Sequence, residues 1–95
     1  MPEPIKVGIY YAASEAVTNA IKHAQAEYVT VVLERSAQDV RLMVTDDGAG
    51  GADIRTGSGL VGLSDRIHAL GGVLDVHSPV NEGTKLTVHI PTDGS

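Results

Sequence analysis

The chain has no cysteine, tryptophan or phenylalanine, and only two methionines and three tyrosines among its 95 residues. Without thiols, disulfides and thiolate metal sites are excluded, and the redox compartment stays open. Without large aromatics, the 42% of apolar residues is made of Val, Leu, Ile and Ala, which implies a thin core between small layers. Basic residues are scarce too: 7 Lys and Arg against 12 Asp and Glu leave a net charge of −5. A nucleic-acid platform would need a basic stripe, so the charge balance argues against that class. No apolar run nears the roughly 20 residues that span a bilayer, and no signal-peptide pattern opens the chain. The length predicts one domain near the lower limit for a self-sufficient core, burying roughly 60–65% of its unfolded surface. The opening Met1-Pro2-Glu3-Pro4, running straight into helical sequence, reads as a domain cut from a longer protein.

What is present falls into four segments. Pro2 and Pro4 suit a helix entry, where a missing N–H costs little, and the helical pattern runs from about Pro4 to Ala24. Ile5, Ile9, Ala13, Ala16, Ala20 and Ala24 form its apolar stripe. Glu15, Asn19, Lys22 and His23 fall within a neighbouring arc of about 100°. Tyr28 to Glu34 alternates, with Val29, Val31 and Leu33 on one face, and Val40 to Thr45 resumes with Val40, Leu42 and Val44. The two predict an antiparallel hairpin. After the glycine-rich stretch that begins at Asp46, a second helix is signalled by Ser58 as cap and by Leu60, Leu63, Ile67 and Leu70. Gly71-Gly72 stops it. A second hairpin, Val73 to Ser78 and Thr84 to Ile90, closes the chain. Helix, hairpin, helix, hairpin predicts an α+β two-layer sandwich, a mainly antiparallel sheet covered on one face by helices.

The period of two gives Asp46 a direction. It shares parity with Val40, Leu42 and Val44, so it points to the helix-covered side at the strand's end. An unpaired buried carboxylate is costly, so it needs a partner. Thr84 shares parity with Leu86, Val88 and Ile90 and looks into the same layer. Together they can read a base edge, the acid accepting from an exocyclic amine and the hydroxyl working through water; an ordinary Asp-Gly turn is the competing reading. Gly48 and Gly50 let the backbone approach a flat ring, or simply make a loop. Gly57-Ser58-Gly59-Leu60-Val61-Gly62 matches G-x-G-x-x-G in form only. A loop precedes it, an antiparallel hairpin follows, and the twentieth residue after Gly57 is His77 rather than an acid. What survives is an anion site at the N–H groups of a helix start near Leu60.

Taken together, Glu15-x-x-x-Asn19-x-x-Lys22-His23-Ala24, Asp46-Asp47-Gly48-Ala49-Gly50 and Gly57-Ser58-Gly59-Leu60-Val61-Gly62-Leu63 resemble the N box and two glycine boxes of a family. Ser64-Asp65-Arg66, Leu70-Gly71-Gly72 and Gly83-Thr84 continue the match over nearly the whole chain. The family is the ATP-binding catalytic domain of sensor histidine kinases, in the GHKL superfamily, with the nitrate-sensing and desaturase-regulating kinases as the most similar branch. The resemblance implies the Bergerat fold over residues 1–95, with ATP held between helices and sheet. It implies that Asn19 ligates Mg²⁺, Lys22 contacts phosphates, and His23 lines the ribose or adenine side. Asp46 accepts from the adenine amine, with Gly50 beneath the ring, Gly48 in the same nucleotide-binding loop, and Thr84 assisting. Gly57, Ser58, Gly59, Leu60 and Val61 surround the phosphates. Glu15, with Asn19, belongs to the catalytic pair, either polarising and orienting the metal or activating water in a slow side reaction.

The family's phosphoacceptor histidine lies in an upstream dimerisation region that this sequence lacks. His68, His77 and His89 have no acidic neighbour motif and are expected to be surface or core residues. The lid of about Gly51 to Thr56 is short, with Arg55 its one cation, and a first edge strand is missing. The implied function is to bind Mg-ATP and pass the γ-phosphate to a histidine on the dimerisation domain, which then serves a response regulator. The setting is cytoplasmic, with no membrane contact, and the isolated piece is inactive or a weak ATPase. Two other readings remain: an anti-sigma-factor serine kinase of the same superfamily, and a nucleotide- or partner-binding module without catalysis.

Overall fold

A computed structural model describes residues 2–22, 25–49 and 60–92. Its element order is α1 (Glu3–Lys22), β1 (Val29–Arg35), β2 (Asp39–Asp46), α2 (Leu60–Ala69), β3 (Val73–His77) and β4 (Thr84–Pro91). The four strands form one sheet in the order β1-β2-β4-β3, with every pair antiparallel. Both predicted hairpins are present, and the pairing of β2 with β4 joins them into one sheet. Among the described residues, no helix is long and apolar enough to cross a membrane.

Helix α1 begins where the carbonyl of Pro2 accepts from the amides of Ile5 and Lys6 at 3.1 and 3.0 Å. Pro4 sits in the first turn, where no amide donor is required. Ile5, Ile9, Ala12, Ala16 and Ala20 are buried at helical spacing, and Ala13 is half-buried at the edge of the stripe. The predicted stripe is therefore right in direction but centred on Ala12 rather than Ala13. Helix α2 buries Leu60, Leu63 and Ile67. It stops in a Schellman motif: Gly72 N–H donates to Ile67 and Gly71 N–H to His68, both at 3.0 Å. Gly71 takes φ +80°, the left-handed conformation that glycine adopts without strain.

The two helices and one face of the sheet enclose a single core. Val40, Leu42 and Val44 of β2 meet Leu86, Val88 and Ile90 of β4, with Leu74 of β3 beside them. The small side chains Ala12 and Ala16 keep α1 close to this face, as the missing aromatics imply. Strand β1 differs from the simple alternation. Val31 and Leu33 pair with Val44 and Leu42 and so share their side of the sheet, yet they are 47% and 48% exposed. Strand β1 is an edge, and the helices pack mainly over β2 and β4; of β1 only Val29 packs against their core.

The β1–β2 turn is held by a polar cluster that the sequence did not suggest. Ser36 Oγ–H donates to Asp39 Oδ1 at 2.7 Å, and Ser36 Oγ accepts from the amides of Gln38 and Asp39 at 3.1 Å. From β4, His89 donates Nε2–H to Asp39 Oδ2 at 2.8 Å. The bond from Ser36, then that from His89, hold the Asp39 carboxyl below its ordinary pKa. A carboxyl with a depressed folded pKa adds stability above its unfolded pKa and loses it as pH falls through the folded one. The urea midpoint is expected to fall between about pH 5 and about pH 3. It should fall less steeply in Asp39→Asn, and equal slopes for the two proteins would remove the cluster from the account.

Candidate functional site

The C-terminal ends of α1 and β2 lie together. Helix α1 stops at Lys22, and Val29 opens β1 directly opposite Asp46, the last residue of β2. On the other side of Asp46 stands Thr84, the first residue of β4. The helices run antiparallel, with Gly8 against Leu70 and the Tyr11 ring 4.4 Å under the Arg66 guanidinium. Continuing that pairing along α1 brings the first turn of α2 beside the turn that carries Glu15 and Asn19. One end of the sandwich therefore collects the inner side of α1, the start of α2, Asp46 and Thr84.

The expectation for Asp46 holds in direction. Its neighbours of equal parity are buried, and Asp46 is half-buried at the edge of their layer. Its Oδ1 accepts from the Gly48 amide at 2.8 Å, an Asx turn, so the turn-forming role is present as well. Among the described residues, no donor is bonded to Oδ2, which leaves an acceptor at the mouth of the layer. Thr84 is half-buried, its Oγ1 2.6 Å from Ser78 Oγ. Glu15 and Asn19 are half-buried on α1, while Lys22, at its last turn, is exposed. Leu60 is buried in the core and Val61 is exposed but apolar, so what this turn can offer an anion is its backbone N–H groups. His23, Gly50, Gly57, Ser58, Gly59 and the stretch from Gly51 to Thr56 lie outside the described residues.

Three residues at this end were not singled out as site residues. Gly83 holds φ +78°, and a Cβ there would collide with the carbonyl oxygen of Asp46. Ser78 continues the parity of the inward Leu74 and Val76, which is a readable signal for its meeting with Thr84. Asp47 accepts from the amides of Glu27 and Tyr28, which nothing in its local pattern announces. His68 and His77 are exposed and His89 is half-buried against Asp39, in line with their expected surface or core character.

The donor set bears on a metal ion. Among the described residues, no three His, Cys, Asp or Glu side chains gather into a metal site. Glu15 and Asn19 offer hard oxygen donors one turn apart, which fits an ion that keeps waters and is completed by phosphate oxygens. A separate groove of about 400 Å³, lined by Pro4, Val7, Gly8, Ala69 and Leu70, lies at the other end of the helix layer. Val7 is roughly 18 Å along α1 from Asn19 at 1.5 Å per residue, so that groove is not part of this site.

Comparison with known proteins bears on the family and the fold. The family described as Histidine kinase-, DNA gyrase B-, and HSP90-like ATPase matches residues 5–94. The oxygen sensor histidine kinase NreB of Staphylococcus carnosus is 34% identical over 91 residues, covering 92% of this chain and 26% of that protein. The sensor histidine kinase DesK of Bacillus subtilis is 37% identical over 82 residues, 83% of this chain and 22% of its own length. The chain thus spans about a quarter of the length of these relatives. The crystal structure of the ATP binding domain of PrrB from Mycobacterium tuberculosis superposes with a TM-score of 0.74 at 23% identity, over 90% of this chain and 67% of that one. The α+β sandwich is accordingly the Bergerat fold, and the chain belongs to the histidine kinase-, DNA gyrase B- and HSP90-like ATPase family, in the company of sensor histidine kinases.

Proposed function

We propose that residues 1–95 form the ATP-binding catalytic domain of a two-component sensor kinase, which binds Mg-ATP and donates the γ-phosphate to a histidine on a dimerisation domain. The observation that carries this reading is Asp46, whose second carboxylate oxygen meets no donor among the described residues, at a strand end that the α1–β1 connection ties back to Ala20, next to Asn19. In this reading the Asp46 carboxylate accepts from the adenine amine, with Thr84 assisting, Gly50 beneath the ring and Gly48 in the same loop. Lys22 meets phosphate and His23 lines the ribose. The backbone at Gly57, Ser58, Gly59, Leu60 and Val61 surrounds the phosphates. Mg²⁺ would be held by Asn19 and phosphate oxygens and would supply neutralisation of the charge on the transferring group. Glu15, one turn from Asn19, orients that arrangement rather than activating water.

The phosphoryl group leaves ADP and bonds to a ring nitrogen of the acceptor, from which a response regulator takes it. His89 is not that acceptor: its Nε2 is engaged by Asp39, at the end of β2 opposite Asp46. The setting is cytoplasmic.

Calorimetric titration with ATP, with and without Mg²⁺, tests the reading; no binding in either condition would end it. Incubation with labelled ATP and a dimerisation domain should give acid-labile phosphohistidine, whereas acid-stable phosphoserine on another substrate would point to a serine kinase. In the same assays, Asn19→Ala should lower Mg-dependent ATP affinity about tenfold and leave adenosine affinity nearly unchanged. Equal losses for the two ligands would make the Asn19 turn structural only.

A further inference from the structure

Asp47 follows Asp46 directly, yet its side chain serves another part of the chain. Its Oδ1 accepts from two consecutive amides, Glu27 and Tyr28, each at 2.9 Å, across 20 and 19 residues of sequence. Its own N–H donates back to the Tyr28 carbonyl at 3.3 Å. The segment it grips joins α1 to β1. That segment is tied at its other end as well, where the Ala26 amide donates to the carbonyl of Ala20, one residue beyond Asn19. Just before Ala26, Gln25 takes φ +53°, left-handed backbone that a non-glycine side chain rarely adopts. Such a conformation persists only when its surroundings hold it.

A hydrogen-bonded path therefore runs from the turn of α1 carrying Asn19, through Ala20 and Ala26, to Glu27 and Tyr28, and into the carboxylate beside Asp46. The Asp47 side chain adds two bonds to this path beside the Asp47 N–H bond to Tyr28 and the pairing of Val29 with Asp46. We infer that Asp47 is a positioning residue that sets the distance between Asn19 and Asp46, the two groups that bound the nucleotide site. The inference rests on the function proposed above. It makes Asp47 matter for a ligand that spans both ends and much less for one that reaches only Asp46. Both amides lie at exposed positions and gain water when the carboxylate is removed, so the substitution leaves the core intact.

The experiment compares wild type, Asp47→Ala and Asp47→Asn for Mg-ATP and for adenosine by calorimetry, with amide exchange of Glu27 and Tyr28 followed by NMR. In Asp47→Ala the Mg-ATP Kd is expected to rise about tenfold, while the adenosine Kd changes less than about threefold. Exchange at the two amides should accelerate. Asp47→Asn keeps a carbonyl oxygen that accepts both bonds, and should restore Mg-ATP affinity and slow exchange. Three results overturn the inference alone: unchanged Mg-ATP affinity in Asp47→Ala, equal losses for the two ligands, or no rescue by Asn. A wild-type chain that fails to bind Mg-ATP, with amide exchange behaving as described, overturns the proposed function and this inference with it.

Discussion

Asp46→Asn is expected to weaken ATP binding by about 1.5–3 kcal/mol, the usual worth of a hydrogen bond to a charged acceptor. The fold should survive the change. Asn keeps an oxygen that can accept from the Gly48 amide, so the Asx turn that closes β2 remains. What disappears is the negative charge at the mouth of the layer, where the second oxygen faces the proposed adenine amine. The same geometry gives base selectivity. Guanine carries a carbonyl where adenine carries the amine, and a carboxylate facing a carbonyl is repulsive. Wild type should therefore prefer ATP to GTP, and Asp46→Asn should narrow the gap as well as weaken ATP. Calorimetry with both nucleotides in Mg²⁺ reads both effects, and equal affinity of the wild type for the two would remove Asp46 from the base-reading role.

Gly83→Ala should cost about 2–4 kcal/mol of stability, from left-handed strain and a steric clash together. Residue 83 holds φ +78°, which disfavours any side chain, and its missing Cβ lies where the Asp46 carbonyl already sits. The obstacle is backbone, which cannot rotate away as a side chain tip can. Relief requires β2 and the β3–β4 turn to separate where Asp46 pairs with Thr84. For a domain of this length, with about 5–15 kcal/mol in total, that is a large share. Urea unfolding measures the loss, and nucleotide affinity should fall with it because Asp46 itself is displaced. A variant as stable as wild type would mean that the close approach of Gly83 to Asp46 is not maintained in solution.

Much of this end of the molecule was legible from local pattern. The parity that buries Val40, Leu42 and Val44 also directs Asp46, and the parity of Leu86, Val88 and Ile90 directs Thr84. Helical spacing located both helices, and Gly71 marked the stop of the second. The illegible parts share one cause: each depends on which strand lies beside which. Exposure of Val31 and Leu33 follows from β1 being an edge, and alternation carries no information about edges. The Asp39–His89 pair joins residues fifty apart through the β2–β4 register. Asp47 carried no reading of its own within the first glycine box, and its partners are backbone amides, which leave no trace in a sequence. Parity did announce Ser78, since it continues the side of Leu74 and Val76, but the turn that follows obscured it.

The strand order has a kinetic consequence. Each hairpin zips between near neighbours, whereas the central seam matches Val40 with Ile90 and Asp46 with Thr84. Neither helix–hairpin half encloses a core alone, because Leu42 and Val88 face the same layer and need one another's strand to exclude water. Hairpins form in roughly microseconds, but bringing two halves into register across so much chain is the slow, topology-limited event. Substitutions on the seam should therefore alter how fast the protein assembles, while those confined to the outer strands should mainly alter how fast it comes apart.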